Sequence, residues 1–497
     1  MHKSGRKLKY LLYLLALVSW ILLTSDRVCA SMRAQLNYAI FNSPQKGPYI
    51  ECYLAIDGSS VSFTKTPEDK FFAVVEITMI FTKGEYVFEY DKYELKSGLV
   101  SDTANTSINI IDQQRYFLQQ GEYEFEIVLV DKFNPSDTIK SMQPLDVSFP
   151  DNELSFSAIQ LVDSIQKAEE QTMLTKGGYD LFPKVLNYFP PQTGNLRFYT
   201  EAYNTIPHLG EDGRFLLKSF IKSFESDFVL NGYVAYKRAS SREVFPYYQE
   251  FDISSLPSGN YVLTVEARDV ENNVIKSNSI FFTRYNPDVN FEADKLLSYE
   301  LRGTFVENIT DRDTLTEYIE SLTPTATNFE KQFIYRDLET AEVPTMQKFL
   351  YYFWLMRNKD NPEESWLRYR EMVMEVEERF STQIHKGWET DRGRVYLKYG
   401  PPNIVTESYN EPSSYPYEIW QYYKLGNNQS NKRFVFYSHS ELTNNFELLH
   451  SDAIGEVSNY RWQMILNSRW YDSYNIDRTR PPDIWGSRAE DYFRDPR

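Results

Sequence analysis

The sequence predicts two tandem immunoglobulin-like β-sandwiches, a helical segment and a small antiparallel-sheet α+β domain. Three observations carry this. Alternating β-branched and aromatic runs, broken by turn residues, fill the chain up to about residue 286. A near-repeat lies inside them at an offset of 138 residues. Beyond Asn286-Pro287-Asp288 the apolar period switches to 3.6. The chain has 497 residues, enough for about three or four domains. The predicted boundaries are 1–30, 35–150, 152–286, 290–465 and 466–497.

Residues 1–30 read as a signal peptide. Lys3, Arg6, Lys7 and Lys9 precede the apolar run Leu11 to Thr24, and Val28-Cys29-Ala30 offers small residues before a cleavage point. The run is short for a bilayer span of about 20 residues. An uncleaved anchor is the rival reading. No other apolar stretch of that length follows, so no transmembrane span is expected after cleavage, and the predicted location is the periplasm or outer membrane, with release to the outside as the alternative.

In 35–150, Phe71 to Phe81 and Tyr123 to Val130 read as strands. Cys52 stands in another, Ile50 to Ile56, where a buried structural thiol is expected. In 152–286 a helical patch is expected near Val162 to Glu170. The repeat is Gly121-Glu122-Tyr123 with Asp131 against Gly259-Asn260-Tyr261 with Asp269. Each Gly-x-Tyr turn opens a strand, and another strand follows, at Leu145 to Phe149 and at Ser279 to Thr283.

In 290–465, Leu315, Tyr318, Ile319 and Leu322 form one helical stripe, and Phe349 to Met356 a buried helix. A third helix starts at Asn361-Pro362, with Asn361 as N-cap. Its seam is Trp366, Tyr369, Val373, Val376 and Phe380. Strands are expected at Arg394 to Tyr399, Glu418 to Tyr423, Arg433 to Tyr437 and Phe446 to His450. The tail, 466–497, is polar, yet Trp470, Trp485 and Phe493 suggest that parts of it dock on the body.

The formal charge of -17 leaves no clustered cations for a nucleic-acid backbone, and two cysteines make no disulfide framework. There is no P-loop, no nucleophile elbow and no Gly-x-Gly-x-x-Gly, so no cofactor is expected. Scattered histidines, His385 and His450 among them, form no metal pair. The 38 tyrosines suit contact surfaces for a protein partner and also stack on glycans. Tyr247-Tyr248, Tyr415-Pro416-Tyr417 and Tyr471 with Tyr474 are the candidate exposed clusters.

Gly387-Trp388-Glu389-Thr390-Asp391-Arg392-Gly393, running on to Gly400-Pro401-Pro402, carries the most specific pattern. With Phe353-Trp354 and Arg357 before it, and Glu418-Ile419-Trp420 and Phe434-Val435-Phe436 after it, the segment from about 295 to 460 resembles the GWxTD domain of exported proteins of Bacteroidota. The resemblance implies a fold and an envelope location and no reaction. Read from the residues, Gly387 ends the preceding helix with a positive φ, Trp388 plugs the space between helix and sheet, Thr390 and Asp391 set a turn, and Gly400-Pro401-Pro402 ends a strand. The rival, enzymatic reading makes Asp391 an acid or base with Glu389, Glu407, Glu418 or His385 nearby, in a carbohydrate- or peptide-active hydrolase.

Overall fold

The structure, a computed structural model, describes residues 32–103, 109–150, 152–226, 228–289, 300–426, 429–439, 444–459, 461–468 and 488–496. The expected signal peptide with Cys29, and the tail residues Trp470, Tyr471, Tyr474 and Trp485, lie outside these. Two compact units emerge. One holds the described residues up to Asn37 with Cys52–Gln114 and Glu122–Asp146; the other holds Tyr38–Glu51, Arg115–Gly121 and the chain from Val147 on.

Eight strands open the described residues: β1 (Ala34–Ser43), β2 (Gly47–Asp57), β3 (Phe63–Lys65), β4 (Phe71–Lys83), β5 (Tyr86–Lys96), β6 (Asn109–Phe117), β7 (Gly121–Asp131) and β8 (Thr138–Val147). They form the sheets β1-β2-β6 and β3-β4-β7-β8, with β5 on β4. In the first unit the alternation does what it predicts. Ile77, Met79 and Phe81 of β4 face Leu129, Ile127 and Phe125 of β7 on the buried side, and the Phe81 and Phe125 rings stack at 4.5 Å. The other face is solvated and carries ion pairs such as Lys92–Glu76 and Lys140–Glu126. Cys52 is buried in β2.

In the second unit, β9 (Ser155–Phe156), β10 (Gln160–Lys167), β11 (Thr175–Lys176), β12 (Tyr179–Pro183), β13 (Tyr188–Phe189) and β14 (Asn195–Tyr203) come first. A short helix, α1 (Thr205–Leu209), separates them from β15 (Arg214–Ser223), β16 (Val229–Ser240), β17 (Val244–Asp252), β18 (Gly259–Arg268) and β19 (Val274–Arg284). The sheets β11-β12-β10-β14-β17 and β13-β19-β18-β15-β16 close on a core that includes Leu161, Phe198, Leu217, Tyr247, Leu263 and Phe282. The expected helical patch at 162–170 is instead β10, because Gln160 to Val162 pair with β14 and Val162 to Lys167 with β12. Both Gly-x-Tyr strands, β7 and β18, lie inside their sheets, between β4 and β8 and between β15 and β19.

Helices follow: α2 (Arg312–Glu320), α3 (Asn328–Gln332), which runs into a π-helical turn at Phe333–Asp337, α4 (Val343–Arg357), α5 (Pro362–Phe380) and α6 (Asp391–Tyr399). Asn361 caps α5 by accepting from the Glu364 amide, and Trp366, Tyr369, Val376 and Phe380 of the expected seam are buried. Thr327 and Glu330 form a capping box on α3, and Glu330 also takes both arms of Arg357 at 2.8 Å. Then come β20 (Ile404–Ser408), β21 (Tyr417–Leu425), β22 (Gln429–Tyr437) and β23 (Glu447–Ser451), an antiparallel sheet in sequence order. Short helices α7 (Trp462–Leu466) and α8 (Ala489–Arg494) end the described chain. Phe493 of the tail packs on Trp462 and His450, with ring centres 5.1 and 5.5 Å away.

A further expectation fails. Residues 394–399 form no strand; they are the body of α6. Thr390 caps this helix by accepting from the Gly393 amide, and Gly400, at φ +81°, ends it. Gly400-Pro401-Pro402 thus terminates a helix, and the sheet starts later, at Ile404.

Candidate functional site

The motif is a joint between α5 and α6. The chain leaves α5 at Ser381 and makes a 3₁₀ turn at Gly387–Glu389. Gly387 does not have a positive φ, so the expected left-handed helix cap is absent. Its lack of a side chain serves close approach instead. A Cβ there would lie 2.4 Å from the Val376 carbonyl oxygen of α5. At Gly393 a Cβ would lie 1.9 Å from the Gly387 carbonyl oxygen and 2.8 Å from Val376 Cγ1. The two glycines let α5, the turn and α6 touch backbone to backbone.

Each polar motif residue satisfies a backbone group left open by this crossing. The Gly387 amide donates to the Glu377 carboxylate at 2.6 Å. The Thr390 hydroxyl donates to the Gly387 carbonyl at 2.8 Å while accepting from the Gly393 amide at 3.1 Å. The Asp391 carboxylate accepts from the Leu448 amide of β23 at 2.8 Å and lies 3.5 Å from Arg394. The Glu389 carboxylate accepts from the Lys386 amide at 2.9 Å. Trp388 is 6% exposed, and Lys386 lies over its ring at 4.8 Å.

Arg392 points the other way, into the sheet. Its guanidinium sits between the rings of Phe380 and Phe446, at 5.0 and 4.3 Å. It donates to Glu418 at 2.6 Å and to the Asn444 carbonyl at 2.8 Å. Glu418, also buried, accepts from Trp420 Nε1 at 2.9 Å and from the Tyr409 hydroxyl at 3.0 Å. Trp420 fills the space behind, against Phe380 and Phe436. Burial, reinforced by the Glu418 charge, pushes the Tyr409 phenol well above its ordinary value.

Three of the four carboxylates named from sequence stand apart in function: Glu389 holds a turn amide, Asp391 a strand amide, and Glu418 neutralises a buried guanidinium; the fourth, Glu407, is exposed on β20, opposite Glu418 in the register. Sequence reasoning missed Glu377, Glu456 and Tyr409. Glu456 takes Arg394 at 2.8 Å, Lys398 at 2.7 Å and the Tyr399 hydroxyl at 2.8 Å. Burial opposes its charge, but Lys398 and Arg394 outweigh burial and bring the carboxyl down to about 2. The i,i+4 spacing of Arg394 and Lys398, which puts both cations on one helix face, was the one available signal.

The same helix reaches the second sandwich. Lys398 lies 5.0 Å over the Phe224 ring, and Gly455 fits against that ring where a Cβ would come within 2.8 Å. Beside this contact is a cavity of about 180 Å³ lined by Glu225, Asn260 and Tyr261 of the sandwich and by Glu330, Tyr352 and Arg357 of α3 and α4. Burial pushes the Glu225 carboxyl up, opposed by the hydrogen bond it accepts from Asn260 at 2.9 Å. Of the expected exposed tyrosine clusters, Tyr247 and Tyr417 prove fully buried, since their strands turn them into cores; Tyr248 is exposed. His450 accepts from the Asn459 amide at 3.0 Å and stacks on Trp462. No group of three metal-ligating side chains occurs among the described residues, and no described helix is long and apolar enough to cross a membrane.

Residues 308–467 match the GWxTD domain family. The chain carries a GWxTD domain. The match starts just before α2 and ends after α7, so the α5–α6 joint and the four-stranded sheet both belong to the GWxTD domain. No curated protein matches the chain. Among solved structures, fibronectin(III)-like modules of Clostridium thermocellum CbhA match 49% of this chain and 89% of theirs, at 13% identity and a TM-score of 0.15.

Proposed function

We propose that this is an exported cell-envelope protein that works through contacts with an envelope protein partner and catalyses no reaction at its GWxTD motif. The sandwiches act as spacers or docking modules, and the GWxTD domain is a rigid recognition module. One observation carries this reading: Glu389, Asp391 and Glu418 are each engaged in holding the fold, at the distances given above, whereas glycoside hydrolysis requires a pair of carboxyl groups free to flank the scissile bond. The basic and apolar N-terminal segment supports export, with the periplasm or the outer membrane as the proposed location. Exposed rings such as Tyr86, Tyr90 and Tyr236 supply contact area with few rotors, for a protein or a glycan.

The test is affinity capture of the full chain from detergent-solubilised envelope, followed by in-cell cross-linking. One envelope protein recovered by both methods is the expected result. Recovery of the chain alone under several mild conditions would overturn it. Profiling the mature chain against glycan and peptide substrates tests the hydrolase reading. An activity that vanishes in Asp391→Asn would establish the hydrolase and displace the scaffold.

A further inference from the structure

Three side chains of the second unit meet in a site closed to water: Glu51 of β2, Gln160 of β10 and Lys176 of β11. All three are buried, Glu51 completely. The Lys176 ammonium is bonded to Glu51 Oε2 and donates to Gln160 Oε1 at 2.7 Å. Arg115 holds the other Glu51 oxygen from Nε and Nη2, at 2.9 and 2.5 Å, and so leaves Oε2 to the lysine. Phe41 covers the site, with its ring centre 3.8 Å from Nζ. The Gln160 side-chain NH₂ is buried and has no hydrogen-bond partner. An unsatisfied buried donor and a buried ammonium are both costly, and one condensation removes both.

We infer that Lys176 and Gln160 become joined by an isopeptide bond that the folded chain forms by itself, with Glu51 as proton carrier. The hydrogen bond holds the Lys176 nitrogen 2.7 Å from the oxygen of the carboxamide it would attack, so the two groups are already paired in a site from which water is excluded, and a small rotation of the lysine side chain is all that attack on the carbon requires. Glu51 Oε2 takes a proton from the ammonium, and the free amine attacks Gln160 Cδ. The Nζ–Cδ bond forms and the Cδ–Nε2 bond breaks. The departing nitrogen collects the proton from Glu51 together with the second proton lost by Nζ, and leaves as ammonium. Glu51 ends as the carboxylate it began as, no oxidant or reductant is consumed, and a neutral secondary amide remains. Burial, against the pull of Glu51, brings the Lys176 ammonium down to about 8, so a usable fraction of amine exists near neutrality. The bond would tie together two positions 16 residues apart in the sequence.

Mass spectrometry of the purified full chain decides the matter, with its N-terminus read from the same sample. The expected mass is that of the sequence less one molecule of ammonia. A peptide pair containing Gln160 and Lys176 should stay linked after denaturation and proteolysis. Lys176→Arg and Glu51→Gln should each restore the full mass. Folded wild-type chain that keeps the full mass after prolonged incubation near neutral pH would overturn the proposal, as would an ammonia loss that persists in Lys176→Arg. If a variant fails to fold, the wild-type mass and the linked peptide pair still give the answer.

Discussion

At Gly393 one methyl group decides whether two helices can meet. An alanine Cβ there would press on the Gly387 carbonyl oxygen at 1.9 Å, and both partners are backbone held by hydrogen bonds. Gly400 is a different kind of glycine. Nothing lies near its missing Cβ, but it sits at φ +81° and ψ -173°. An alanine at Gly400 should cost about 1–3 kcal/mol of backbone strain. An alanine at Gly393 should cost more, because relief requires α5 and α6 to part; denaturant melts of the full chain rank the two. Trp388→Ala removes a buried indole and should cost about 3–5 kcal/mol. Asp391→Asn keeps an acceptor for the Leu448 amide on a half-exposed side chain, so the same melts should shift by less than about 1 kcal/mol. A Trp388→Ala chain that melts like the parent would mean that the indole does not hold this joint.

The elements show which signals a sequence carries plainly. The alternation of Phe71 to Phe81 and the seam of α5 were legible because each repeats its period several times over. The nine-residue α6 was not, since Val395, Leu397 and Tyr399 fit a strand as well as a helix. What decides for helix lies at its ends: Thr390 as a cap, Asp391 in the first turn and Gly400 just past the last. The pairing of Arg392 with Glu418, 26 residues away, depends on how β21 meets α6, and no local pattern announces it. The glycine contacts were hidden for the same reason. Because the cap decides, Thr390→Val should destabilise the second unit by about 1–2 kcal/mol, while Thr390→Ser, which keeps the acceptor, should recover most of the loss in thermal melts. Equal melting of the two variants would show that the hydroxyl is not needed.

Over the whole molecule, the second sandwich and the GWxTD domain belong to one compact unit, in contact through Phe224, Lys398 and Gly455. Acid should loosen that unit in two stages. Burial brings His450 down from 6.5 to about 4. Between these values the unfolded chain binds a proton that the folded chain refuses, so stability falls as the pH drops through that window, by at most about 3 kcal/mol. Glu456 acts lower. Its folded value of about 2 lies under the ordinary 4.5, so its contribution is complete above 4.5 and disappears as the pH falls towards 2. Urea midpoints should therefore decline from pH 6.5 to 4 in the parent and decline less in His450→Gln, whose amide carries no proton to refuse. Glu456→Gln should leave that first decline in place and remove the second, at the expense of lower stability throughout, because Arg394 and Lys398 lose their shared counter-charge. If His450→Gln and the parent decline in parallel between pH 6.5 and 4, the imidazole is not the acid-sensitive group, and the loss has to come from carboxylates elsewhere in the unit.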